Sequence, residues 1–362
     1  MSFSIKQYHG PDFSQPRFAA MPEARWQPCP MDGVAPEGYH AMGISPEYFK
    51  VEGRWHLAEE SRMDCVPVWQ GGRVAVVEFR NLKQGDLVCM GRTEDGSNGI
   101  YVHGTGFEEE AGHDQFFSFR QSRSRETGFS RDYEEIVELL EYEKNHGGYV
   151  VWVMGPAFSF DNAAREAFAK LVRGGYVQAV LAGNALATHD LEGAYLHTAL
   201  GTDIVTQQSV YNGHYHHLDT INRVRSYGSI PAFLKGEDLH EGIIAACVEK
   251  DVPFVLVGSV RDDGPLPEVY GNVYEGQDAM RAHVRRATTV IGMATVLHTI
   301  ATGNMTPSYR VLPDGTVRPV YFYSVDVSEF AVNKLADRGS LLAKGIVANV
   351  QDFVTKVAER LA

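Results

Sequence analysis

The chain has 362 residues, 44% hydrophobic and 22% charged, with 36 glycines, which is enough to build a core without disulfides or metal. A formal charge of −13 argues against the basic stripe that a nucleic-acid surface needs. The four cysteines, Cys29, Cys65, Cys89 and Cys247, form no C-x-x-C pair, so neither a zinc ribbon nor a disulfide framework is expected. A reduced, cytoplasmic chain is the simplest account.

The length suits two domains. The first residues, Met-Ser-Phe-Ser-Ile-Lys-Gln, have no apolar h-region, and no run approaches the roughly 18 apolar residues of a membrane span. Residues 1–60 are rich in Pro, Gly and aromatics and predict loops and short strands. Residues 63–120 predict a small β unit from the runs Val66–Trp69, Arg73–Val77, Gly85–Met90 and Gly99–Val102.

From about residue 131 helix and strand alternate. Ser130 or Asp132 caps a helix carrying Ile136, Leu139 and Leu140, stopped by Gly147-Gly148, and Tyr149–Met154 is a buried strand. Asp161 caps a second helix with Ala164, Phe168 and Leu171 that stops at Gly174-Gly175, followed by the strand Val177–Ala182. Helix 238–250, strand 252–257, helix 276–287, strand 320–327 and a closing helix over 345–361 continue the pattern. This predicts an α/β fold, with a Rossmann-like parallel-sheet domain over 126–362 preceded by a small β-rich domain over 1–125.

Three apolar runs end in small and polar residues, at Gly183-Asn184-Ala185, Gly258-Ser259 and Ser324-Val325-Asp326. In open α/β sheets ligands bind beyond the strands' carboxyl ends. No G-x-G-x-x-G, G-x-x-x-x-G-K-[ST] or G-x-S-x-G occurs, so a dinucleotide would bind without the standard phosphate loop. Gly183 allows close backbone approach to a phosphate or ribose, although a plain strand-to-helix turn needs it equally. His214, His216 and His217 are the densest cluster among 14 histidines. With no further ligand at a diagnostic spacing they suggest a base or a structural cluster rather than a metal site. Arg223 and Arg225 offer a fork for a carboxylate or a solvated helix face, and Asp262-Asp263 stands at a strand end in a Gly/Pro setting.

Taken together, Ala182–Ala187 with His189-Asp190-Leu191-Glu192, the stretch Gly213–Arg225, Gly258–Pro267, Ala294–His298 and Asp337-Arg338-Gly339-Ser340 resemble one family. It is the LOR/SDH conserved-region group, with the archaeal-type ornithine cyclodeaminases and the C-terminal half of cyanobacterial arginine dihydrolase/ornithine cyclodeaminase fusions. The resemblance runs from about residue 35 to the end, through Gly53-Arg54-Trp55, Met63–Val66 and Gly155-Pro156-Ala157. It implies conversion of ornithine, or a related basic amino acid, to proline or a cyclic analogue with loss of ammonia. It places NAD near Asn184, Ala185, Asp263, Thr295, Val296, Leu297, His298 and Asp326. It also implies an amino-acid substrate and a homo-oligomer, with no nucleic-acid or membrane partner and no metal.

For this chemistry His216 or His217 is nominated as base, Arg223 as the carboxylate anchor, and Asp219 or Asp262 as partner of the distal ammonium. The chain departs from the family pattern at residues 1–34, at Thr198-Ala199-Leu200-Gly201, at Leu218-Asp219-Thr220 and in the loop 309–319. The rival readings are an NAD-dependent amino-acid dehydrogenase or imine reductase, and an NAD-binding protein without catalysis.

Overall fold

The structure is a computed structural model that describes residues 3–107, 129–260, 262, 265–328 and 341–361. A one-turn helix α1 (Pro16–Ala19) precedes seven short strands, namely β1 (Arg25–Pro28), β2 (Glu47–Val51), β3 (Arg54–Leu57), β4 (Cys65–Gln70), β5 (Arg73–Glu78), β6 (Leu87–Met90) and β7 (Ile100–Val102). They pair antiparallel as two small sheets, β1-β6-β4-β5 and β3-β2-β7. Gly71 and Gly72, at φ 61° and 81°, make the two-residue turn between β4 and β5, a backbone that only glycine adopts freely.

The second region starts with helix α2 (Phe129–Asn145), so Ser130 and Asp132 lie within its first turn rather than before it. Strand β8 (Val150–Met154) and a 3₁₀ turn, Pro156–Phe160, lead to α3 (Asn162–Arg173), whose cap is Asp161. Then come β9 (Ala179–Gly183), α4 (Asn184–Leu196), the two-residue strands β10 (Thr198–Ala199) and β11 (Thr202–Asp203), α5 (His216–Tyr227), α6 (Ile230–Gly236) and α7 (Ile243–Glu249). Next are β12 (Phe254–Val257), β13 (Val269–Tyr270), α8 (Val273–Val284), β14 (Thr289–Met293) and α9 (Val296–Met305). The chain closes with β15 (Tyr309–Val311), β16 (Val317–Pro319), β17 (Tyr321–Asp326), β18 (Leu342–Val347) and α10 (Val350–Leu361).

Seven of these strands form one parallel sheet in the order β13-β12-β9-β8-β14-β17-β18. The chain winds outward from β8 to β13, then returns to start the other half at β14. Along β8 the parity of a strand is explicit: Val150, Trp152 and Met154 pack on one face against α3, α4 and α10, while Val151 and Val153 pack on the other against α8 and α9.

Three expectations need correction. The helix expected over 238–250 is only α7, because Asp238 at φ 56° and Gly242 at φ 96° break the backbone before it. The closing helix expected from 345 is half strand, since residues 342–347 pair with β17 and α10 begins at Val350. The small-residue stretch at 291 starts inside a central strand, β14.

The loop 309–319 is the hairpin β15–β16, which ties the two regions together. Tyr309 Oη donates to Ala58 O at 2.8 Å, and Ser308 N donates to Ser61 O at 2.9 Å. Nearby, buried Arg62 pairs with Glu60 at 3.1 Å and with Glu78, while Arg281 of α8 reaches Glu78 at 2.6 Å. Burial alone would raise the Glu78 carboxyl, but the Arg62 and Arg281 guanidiniums bring it down to about 2.

Candidate active site

The switch of winding direction falls between β8 and β14, where a doubly wound sheet opens its crevice. Gly155 follows β8, and a Cβ there would stand 2.0 Å from Ala294 O, so the two strand ends touch backbone to backbone. Ala294 sits at φ 52°, a strained value for alanine and a mark of a constrained site. One residue later α9 begins at Thr295, whose side chain makes no cap. Helix α4 begins directly at the end of β9, and its cap residue Gly183 has no side chain to offer. Two helix amino ends, each with unmet backbone N–H groups and partial positive charge, therefore open at the carboxyl edge of the sheet. The His298 ring covers one of them, with Cε1 3.1 Å from where a Gly183 Cβ would lie.

Asn184, the first residue of α4, points its Oδ1 away from the helix to accept from Leu266 N at 3.0 Å. That bond pins the loop after β12. In the same loop Asp262 Oδ2 accepts from Ser259 N at 2.7 Å, which holds the carboxylate in place. Burial pushes the His298 imidazole below its ordinary value, against a partial opposing pull from Asp262.

A cleft of about 760 Å³ runs from this edge between α4 and α5. Helix α4 contributes Asn184, Ala185, Thr188 and His189; α5 contributes His217, Ile221 and Arg225; the loop after β12 contributes Asp262. Arg225 is exposed to the cleft with no ion pair among the described residues. The Thr188 hydroxyl is buried and lacks a hydrogen-bond partner among the described residues. The His189 and His217 rings meet edge to face at 5.9 Å. Burial and the neighbouring His189 both push the His217 imidazole down, so it is neutral near pH 7.

Behind the cleft lies Glu192, fully buried on α4. It accepts from Thr198 Oγ1 at 2.8 Å, Gly201 N at 3.0 Å, Leu200 N at 3.1 Å and His189 Nδ1 at 3.3 Å. Burial raises this carboxyl, but the four donors outweigh it and hold it below the ordinary carboxylate range.

The structure brings Asn184, Ala185, His217 and Asp262 to one cleft, and His298 to its rim. Thr295, Val296 and Leu297 form the start of α9, with Leu297 75% exposed. Asp219 and Arg223 are not at the cleft. They stand four residues apart on the solvent face of α5, where Arg223 Nε is taken by Glu237 at 2.6 Å. His216 also stands outside the cleft lining, with Nδ1 2.7 Å from Thr198 Oγ1. Asp326 lines a separate cavity of about 360 Å³ with Ala294 and Asn349. Asp263, like Asp337–Ser340, lies outside the described residues.

Sequence reasoning missed Thr188, Glu192 and Arg225 as site residues. For Arg225 a signal existed: His217, Ile221 and Arg225 recur every four residues, one stripe of a helix, and Arg223 belongs to another. Among the described residues no three of His, Cys, Asp and Glu converge as a metal-binding set. No described helix is long and apolar enough to cross a membrane.

Residues 134–357 match the family described as arginine dihydrolase ArgZ-like, C-terminal, Rossmann fold. An ornithine cyclodeaminase of Methanopyrus kandleri is 38% identical over 352 residues, 95% of this chain and 81% of the relative. The chain belongs to this family. A crystal structure of a conserved LOR/SDH protein from Methanococcus maripaludis matches with a TM-score of 0.83 at 35% identity, over 94% of this chain and 98% of that one. The ternary complex of AgrE with ornithine and NAD+ matches with a TM-score of 0.59 at 31% identity, over 96% of this chain and 46% of that one. The expected family and the α/β, Rossmann-like fold class are thereby established for this ArgZ-like chain.

Proposed function

We propose that this chain is an NAD-dependent ornithine cyclodeaminase that forms proline and ammonia from L-ornithine. The observation that carries the reading is the cleft itself, where a free guanidinium, a carboxylate and a neutral imidazole face a common space beside two uncapped helix ends. The family members named ornithine cyclodeaminase and the AgrE complex with ornithine and NAD+ support it.

The residues fit a dinucleotide. Backbone N–H groups at the start of α4 and α9 suit a pyrophosphate, and Gly155 keeps the space between them free of side chains. Helix α3 does not suit it, because the Asp161 carboxylate already accepts from Ala164 N at 2.8 Å. Asn184, Ala185, Thr295, Val296, Leu297 and His298 are therefore the residues that would hold NAD. The chemistry supplied by bound NAD is reversible hydride acceptance at the substrate α-carbon, while the δ-amine closes on that carbon and the α-nitrogen departs as ammonia. Arg225 pairs with the α-carboxylate. His217, held neutral, takes the proton of the α-ammonium. Asp262 faces the distal ammonium, and the Thr188 hydroxyl supplies a further hydrogen bond inside the cleft.

The test is incubation of the purified protein with ornithine and substoichiometric NAD, followed by quantitation of proline, ammonia and NADH. Equal proline and ammonia with no accumulated NADH is the expected result. Stoichiometric NADH would identify a dehydrogenase instead, and no turnover would overturn the substrate.

A further inference from the structure

Glu192 sits where a carboxylate is expensive: removing it from water costs several kcal/mol unless its partners are well placed. Four donors meet it, and they come from three separate pieces of chain. His189 is one turn back on α4, Thr198 belongs to β10, and Leu200 and Gly201 belong to the loop that follows. To present its N–H, Leu200 adopts φ 51°, a left-handed conformation that a leucine takes only when its surroundings compel it.

The proton inventory then fixes two tautomers. An ionised carboxylate has no proton to give, so His189 Nδ1 is the donor and carries the hydrogen. The single proton of Thr198 is committed to Glu192 at 2.8 Å, so the contact of 2.7 Å between Thr198 Oγ1 and His216 Nδ1 requires His216 to donate. Both rings are left with an unprotonated Nε2. His189 lines the cleft and packs edge to face on His217. His216 is the first residue of α5, immediately before His217.

We propose that Glu192 is the positioning residue of the cleft, orienting His189 directly and the His217-bearing start of α5 through Thr198 and His216. Its role is to hold the two facing imidazoles in one geometry and one tautomer, with His189 Nε2 presented as a proton acceptor behind His217. This deepens the cyclodeaminase reading and rests on it for the identity of the reaction. The arrangement does not depend on which amino acid binds.

The experiment has two arms on the full chain. In the first, ¹⁵N-edited imidazole spectra of the protein assign the tautomers, with H189Q and H216Q used only to identify signals. The expected result is Nδ1–H for both His189 and His216; Nε2–H at either position overturns the relay. In the second, kcat and KM for ornithine are measured for E192Q, T198V and T198S.

E192Q is expected to lower kcat by about 100-fold, the scale of lost general-base catalysis, with KM within about threefold. T198V, which cuts only the His216 arm, is expected to lower kcat by about tenfold, and T198S to restore it. A T198V variant that folds and matches T198S in kcat overturns the proposal, even if E192Q fails to fold. If the tautomers are as stated but the wild-type protein does not convert ornithine, the substrate reading fails and the relay stands.

Discussion

Helices α3 and α4 leave neighbouring strands of the same sheet, yet their amino ends are finished in opposite ways. A 3₁₀ turn separates α3 from β8, and Asp161 then closes the helix with its own carboxylate. By contrast, α4 begins at the last residue of β9 with a glycine at its cap, and its first asparagine is committed to another loop. A helix end capped by an acid has spent its donors and carries a negative charge. An uncapped end at the carboxyl edge has both donors and field available for an anion. The difference explains how a family without a glycine-rich fingerprint can use this fold for a dinucleotide: the anion-binding end is moved one strand along.

The strongest way to break this comparison is to make α4 resemble α3. A carboxylate at the second position of α4, in A185D, should weaken NAD binding by about 100-fold through like-charge repulsion of several kcal/mol. The same change should leave thermal stability unchanged or raise it by roughly 0.3–1 kcal/mol, because the helix dipole favours an acid there. Calorimetric titration with NAD and thermal unfolding give the two readouts, and a loss of both together would mean simple misfolding.

Next in size is the contrast between the two arginines of α5. Removing Arg225, in R225A, should raise KM for ornithine about 10- to 100-fold, the scale of one charge-assisted hydrogen bond. Removing Arg223, engaged by Glu237 on the solvent face, should leave KM where it was. Steady-state kinetics on both variants decide which arginine faces the substrate.

A smaller effect concerns pH. His217 is depressed in the folded protein by burial and by His189, with Glu192 opposing. A depressed imidazole stays neutral above its unfolded value of about 6.5, and the stability tied to that neutral form is lost only as pH falls through the lower folded value. The acid limb of kcat/KM should therefore lie below about 6.5, and H217Q should remove it. A pH-rate profile placing the limb above that value would rule out His217 as the base.

The smallest expected effect is at α3. D161A should cost about 1 kcal/mol of stability through loss of the cap while leaving NAD affinity undiminished. Denaturant unfolding and the same NAD titration test both halves.

Much of the frame was legible without coordinates. The alternation of buried runs with amphipathic segments announces a parallel sheet, since strands covered on both faces must be apolar throughout. The signals at Asp161 and Gly174 place α3 to the residue. Local signals failed at β14 and β18. The first, Thr289–Met293, runs straight into a small-residue turn, and the second, Leu342–Val347, carries Lys344 and Gly345 and looks no more like strand than helix. Their status is decided by neighbours: β14 lies between β8 and β17, and β18 pairs with β17.

The site divides the same way. Residue type singled out His217 and Asp262, because imidazoles and strand-end acids are chemically conspicuous. It also singled out Asp219 and Arg223, and nothing about a residue's type says which face of a helix it occupies. Glu192, sixth in a run of residues resembling a family block, carries no sign in one dimension that it is the buried partner of His189, Thr198 and the loop at Leu200.

Composition and periodicity by themselves determined the fold class, the edge of the sheet at which a ligand binds, and the kinds of group present there. Those properties follow from local burial and chain chirality, which neighbouring residues encode. The tertiary structure alone decided which helix ends stay uncapped, which arginine enters the cleft and which carboxylate orients the histidines. Each of those depends on contacts between segments far apart in the chain, and no short stretch of sequence contains both partners.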